Sequence, residues 1–196
     1  MSFLFADGPL ARELEAAECR FLEDVVSGLR AAPGGEGVFR ASVAGGVAAH
    51  VGVDSPFNKM IGIGLRGAFG DDDLADLEAV EREHDLRKAT LQVEVATLAD
   101  SSFVQVLTGR GYALVAFENV LGLSLGTPRT EPPVRAELSI AADDAGDASG
   151  EAWMETVVTG FAHPDAVPGG APHETFPREA IERAMGAMRR ASGLRS

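Results

Sequence analysis

The apolar positions of this chain change period several times, and each change predicts an element. Leu10, Leu14, Ala17, Phe21, Leu22, Val25, Val26 and Leu29 recur at helical spacing and make one apolar stripe, which predicts a helix over residues 9–32. Asp7 or Gly8 caps its start, Pro9 suits its first turn, and Pro33-Gly34-Gly35 ends it. Strands follow. Residues 37–44 and 47–53 flank Gly45-Gly46, a two-residue hairpin signal, because paired glycines supply the positive φ values of a tight primed turn. A third strand is expected over 57–65, where Met60-Ile61-Gly62-Ile63 is apolar on both faces, as in a central buried strand.

A second helix is expected to open near Asp71-Asp72-Asp73, whose carboxylates suit the positive end of a helix dipole, with Leu74, Leu77 and Val80 on its buried side. Residues 90–96 alternate, Leu91, Val93 and Val95 against Gln92 and Glu94, which predicts a half-buried strand. Asp100 caps a short helix carrying Phe103, Val104 and Leu107, which stops at Gly109 and Gly111. A long strand over 112–125 closes the unit. Residues 127–133 hold three prolines and 141–150 are small and acidic, so 127–150 reads as a linker, with a further strand over 134–140 between its two parts. Two helices complete the chain: 151–162 with the stripe Trp153, Val157, Val158 and Phe161, and 177–191 with Ala180, Ile181, Ala184, Met185 and Met188. The elements sum to an α+β or α/β fold, a mixed sheet of six or seven strands flanked by helices. No solenoid period is present.

Charge and composition narrow the function classes. A formal net charge of −13 repels phosphate backbones, so nucleic-acid binding is not expected. No apolar run is long enough for a membrane span, and the opening Met1-Ser2-Phe3-Leu4-Phe5-Ala6-Asp7 lacks the basic region of a signal peptide. Cys19 is the one cysteine, so no internal disulfide forms, and a cytoplasmic setting is the expectation. The acidic chain ends on a basic stretch with Arg178, Arg183, Arg189, Arg190 and Arg195, suited to docking on the chain itself or on a partner.

The element order, a helix, a hairpin, a central strand, then alternating helices and strands, resembles the GNAT-type N-acetyltransferase superfamily. The segments that carry the likeness are Pro56-Phe57-Asn58-Lys59-Met60-Ile61-Gly62-Ile63-Gly64, Leu107-Thr108-Gly109-Arg110-Gly111-Tyr112 and Phe117-Glu118-Asn119-Val120-Leu121. Residues 153–165 and 177–190 resemble the first two helices of a second copy. The resemblance implies a tandem: an acyltransferase-like domain over 1–126, a linker over 127–150, and the opening helices of a second domain over 151–196.

It also implies acetyl-CoA as cofactor and a small-molecule amine as acceptor. Members of the superfamily hold the cofactor pyrophosphate on a turn reading Arg or Gln, two residues, Gly, one residue, Gly or Ala. Here Lys59-Met60-Ile61-Gly62-Ile63-Gly64 has lysine in first place, and the helix beyond opens on three aspartates that oppose phosphate. Cofactor binding at Gly62, Gly64, Arg66 and Gly67 is therefore expected to be weak or absent. Gly62-Ile63-Gly64-Leu65-Arg66-Gly67 also fits a dinucleotide fingerprint, but a hairpin precedes it where that fold has a βαβ unit, and a merely flexible strand end is the plainer reading of these glycines.

Glu94, beside the presumed cleft, suits a general base on an amine, although its alternation with Gln92 favours a plain solvated face. Glu118 is the second candidate base. Asn58, Lys59 and Asn119 interrupt apolar strands, so they either line a cavity that takes substrate or find internal partners, with Lys59–Glu118 a possible pair. His163, Asp165, His173 and Glu174 crowd one loop but match no metal template, and no metal is expected. Two functions remain: an acyl-CoA-dependent N-acetyltransferase relative, or a noncatalytic module of that fold that binds a ligand or scaffolds a missing domain. The two C-terminal stripes are expected to pack on the first domain, on a second copy of the chain, or to remain mobile, with a homodimer exchanging these helices preferred.

Overall fold

The computed structural model describes residues 7–67, 69–83, 91–117, 120, 148–163 and 175–190. The first helix, α1, runs Gly8–Arg30, with the Leu10 N–H donating to the Asp7 carboxylate at 2.9 Å and Pro9 in the first turn. Its stripe is buried unevenly. Leu22, Val25, Val26 and Leu29 are nearly sealed from solvent, whereas Leu14 stays 37% exposed. Burial of each of those four side chains contributes roughly 1.5–3 kcal/mol, so the C-terminal half of α1 is the part that anchors the helix.

The hairpin pairs β1 (Phe39–Val43) with β2 (Gly46–His50), in the register Phe39↔His50 to Val43↔Gly46. The tight turn is Ala44-Gly45, with φ of 45° and 81°, and not Gly45-Gly46. Gly46 sits inside the ladder because the next strand passes too close for a side chain: a Cβ there would lie 2.1 Å from the Ile61 carbonyl oxygen. Ala44 accordingly takes the left-handed backbone that a glycine normally fills.

The third strand, β3, is confined to Lys59–Ile61, shorter than the expected 57–65. Beyond it Gly62 and Gly64 both turn to φ 73°, which ends the extended run. β3 is antiparallel to β2 and parallel to β4 (Gln92–Val93), giving a four-stranded mixed sheet in the order β1-β2-β3-β4 among the described residues. Residues 91–96 are all half-buried, with Leu91, Val93 and Val95 packed on one core, and only two residues of the expected 90–96 strand pair in the ladder. Residues 112–117 and 120 are irregular, with Leu114, Val115, Phe117 and Val120 all more than 70% exposed, so the front of the expected 112–125 strand is not a strand. Its remainder, and the 134–140 strand, lie outside the described residues.

Helices cover both faces. α2 (Asp71–Glu83) and α3 (Ser102–Gly109) lie on one, where Leu74, Phe103 and Leu107 pack with Val43, Ala48 and Met60. The side chains of Leu77 and Val80 lie outside the description. Asp100 accepts from the Ser102 N–H at 2.9 Å at the start of α3. At its end the Tyr112 N–H returns to the Leu107 carbonyl and Gly111 takes φ 90°. On the other face, α4 (Ala148–Ala162) and α5 (Arg178–Arg190) join α1. Val158, Ile181, Ala184, Met185 and Ala187 form one cluster with Leu22, Val25, Val47, Ala49 and Ile61. Adjacent residues of β3 thus feed opposite cores, Met60 toward α2 and α3, Ile61 toward α1 and α5, as the period of a strand requires.

The basic stretch near the C-terminus is used internally where it is described. Arg178 pairs with Glu155 and Glu182, and the Arg189 guanidinium lies 5.9 Å from the Trp153 ring centre. Among the described residues no helix is long and apolar enough to cross a membrane.

Candidate functional site

The polar groups of interest gather where β3 ends beneath the N-terminal half of α1. Lys59 opens β3, and the ladder to β4 places Gln92 beside it. The last bond of that ladder runs from the Glu94 N–H to the Met60 carbonyl at 2.9 Å. The Lys59 ammonium forms an ion pair with the Glu94 carboxylate. Lysine 59 has thus found an internal partner in Glu94, while Glu118 and Asn119 lie outside the described residues.

Asn58 precedes this pair and is only 2% exposed. Its side-chain oxygen accepts from the Val51 N–H at 2.9 Å, and its amide nitrogen donates to the Gly52 carbonyl at 2.8 Å. Both polar ends therefore hold the connection between β2 and β3. The cause lies in the sequence: the chain leaves β2 through Gly52 and Asp54, both at positive φ, and such a loop leaves backbone groups that a short amide can satisfy.

The glycine turn itself is tightly occupied. Gly62 and Gly64 are buried, and the space a side chain would need is filled: a Cβ on Gly62 would lie 2.5 Å from the Cys19 sulfur, and one on Gly64 3.1 Å from Ala99. Gly67 is exposed and open, and Arg66 is exposed with its stem against the hairpin turn at Gly45.

Two amides beside the turn are also taken. The Gly62 N–H donates to the Glu15 carboxylate at 3.1 Å. Burial pushes the Glu15 carboxyl up from its ordinary range; the Gly62 hydrogen bond opposes this, and the neighbouring Glu94 charge adds to it. Burial, together with the nearby Glu15 charge, also raises the Cys19 thiol. At the start of α2, the Gly70 N–H donates to the Asp73 carboxylate at 2.9 Å, and Asp71 turns to Arg110, which also pairs with Glu78 at 2.8 Å. Asp73 thus closes the start of its own helix, and all three carboxylates stand at its positive end.

Neither Glu15 nor Cys19 was selected by sequence pattern. They lie 47 and 42 residues from their partners Gly62 and Ile61, and the only sequence signal is that two polar residues, four apart, interrupt the helical stripe near Leu14 and Leu22. His163 sits at the end of α4, with its ring nitrogen 3.1 Å from the Thr159 carbonyl. Asp165, His173 and Glu174 lie outside the described residues, and among the described residues no three His, Cys, Asp or Glu side chains are grouped to hold a metal. Compared with family models, curated proteins and solved structures, the chain matches none.

Proposed function

We propose that this chain is a relative of the acyl-CoA-dependent N-acetyltransferases in which residues 62–67 no longer take the cofactor, so that the unit works as a noncatalytic module beside a domain that does. One observation carries the reading: the amides of Gly62 and Gly70, which would meet phosphate oxygens, each donate to an internal carboxylate, from Glu15 and Asp73. A phosphate entering there must displace an anion from its hydrogen bond and meet the remaining acids at the start of α2. The relationship itself is supported by the element order, a helix, a β-hairpin, a third strand, a helix and a parallel fourth strand. A cytoplasmic setting and a domain or second copy as partner belong to the same proposal.

The rival reading, an active N-acetyltransferase, draws on Glu94. It stands at the last ladder bond on the face that looks toward α1, next to the glycine turn. If Lys59 released it, its carboxylate could accept the proton of an attacking amine, and the carbonyl of the thioester would be polarised by a free backbone amide. Calorimetric titration of the full chain with acetyl-CoA separates the two. The expected result is no saturable heat; micromolar binding to the unmodified chain overturns the proposal. The double change Glu15→Gln, Asp73→Asn removes both carboxylates while keeping hydrogen-bond acceptors, and gain of acetyl-CoA binding in that variant identifies the carboxylates as the obstacle.

A further inference from the structure

An open groove of about 690 Å³ runs along the N-terminal half of α1, and Arg12, Arg20 and Arg66 line it. Arg12, Ala16 and Arg20 follow one another at four-residue steps, so they stand on one side of the helix about 6 Å apart along its axis. Ala16, with almost no side chain, forms the low point between the two arginines. Arg66 faces them from the loop after β3, its stem held against the hairpin turn at Gly45.

The chain has 30 acidic residues to 17 basic ones, and Arg40, Arg110 and Arg178 each pair with a carboxylate. Arg12, Arg20 and Arg66 make no ion pair among the described residues, although Glu13 also borders the groove. Three arginines from two separate elements border this groove against one glutamate, a locally positive surface in a protein otherwise strongly negative. Its volume is that of a small-molecule site, and guanidinium forks match planar carboxylate and phosphate oxygens.

We propose that this groove binds a small polyanion, a molecule carrying two or more carboxylate or phosphate groups, across Arg12, Arg20 and Arg66. The proposal stands apart from acyl transfer and needs neither the Gly62 nor the Gly70 amide.

The test is calorimetric titration of the full chain at low ionic strength with tripolyphosphate and with citrate. Saturable binding is expected for at least one, and the tighter of the two tells a phosphate ligand from a carboxylate one. The paired change Arg12→Gln, Arg20→Gln and the single change Arg66→Gln should each weaken it about tenfold or more, the size of a lost charge-assisted hydrogen bond. Glu13→Gln should tighten binding, and Arg82→Gln on the exposed side of α2 should leave it unchanged. All the substituted side chains are exposed, so circular dichroism should show an unaltered fold. Absence of saturable binding to either polyanion, or an equal loss in the Arg82 variant, overturns the proposal.

Discussion

The two halves of α1 belong to one continuous helix but meet different surroundings. The C-terminal half places Leu22, Val25, Val26 and Leu29 against β2, β3 and α5 in one apolar cluster. The N-terminal half has Ala11 as its one buried residue. Its other contacts are polar or open: Glu15 on the Gly62 amide, Cys19 against the Ile61 carbonyl, and the arginines of the groove. A helix long enough to overhang the sheet can thus be anchored by one end and present chemistry with the other. The division follows cover: α5 lies along the buried half, and its Ile181 and Ala184 join the same cluster.

The sharpest way to break this contrast is to empty the anchored half. Leu22→Ala and Ile181→Ala each remove a fully buried side chain from the shared cluster, and each should cost about 2–5 kcal/mol in urea unfolding. Leu14→Ala, from the exposed half, should cost well under about 1 kcal/mol. Equal losses at Leu14 and Leu22 would show that the two halves are not distinct.

A smaller effect tests the junction between them. Gly62→Ala forces a side chain into a left-handed backbone and against the Cys19 sulfur, and should cost about 2–3 kcal/mol. In the double variant with Cys19→Ala the clash is relieved but the backbone strain remains. Recovery should therefore be partial, read as a coupling energy between the two sites. No coupling would mean that α1 does not press on the turn.

The smallest effect concerns charge. The Glu15 carboxyl is raised in the folded protein, so the folded state holds that proton more tightly than the unfolded chain does. Its contribution to stability is therefore full below the unfolded pKa and is lost as pH rises through the folded one. Glu15→Gln keeps an acceptor for the Gly62 amide and removes the charge. The variant should show a slightly higher urea midpoint at neutral pH and a flatter midpoint-versus-pH curve between the unfolded and the folded pKa of that carboxyl. A curve unchanged from the parent would place Glu15 away from the buried position described.

Local pattern was enough to place α1, the hairpin, α2, α3 and the two C-terminal helices: an apolar stripe for each helix, a glycine pair for the hairpin, and an acidic start for α2. The acidic start of α2 and the glycine after α3 were equally legible, since a helix end is a local problem solved by neighbouring residues. The site was less so. Glu94 and Lys59 could be picked out as polar residues in strands, but their pairing joins positions 35 residues apart.

Where the sequence misled, the reason was a distant neighbour. Gly45-Gly46 looked like the turn, yet the approach of Ile61 keeps Gly46 in the ladder and moves the turn back by one residue. That single step moves every cross-strand pair of the hairpin by two residues, so that Phe39 lies opposite His50 and not Gly52. The glycines of 62–64 fit a phosphate turn only loosely in sequence, with a lysine ahead of them and aspartates beyond, and their neighbours in space are a sulfur and a carboxylate from α1. Period, caps and breakers are set by residues within a few positions of one another, and the sequence by itself determines them. What fills the space beside a glycine, or takes the hydrogen bond of its amide, is set by whichever element the fold brings there, and only the tertiary structure decides it.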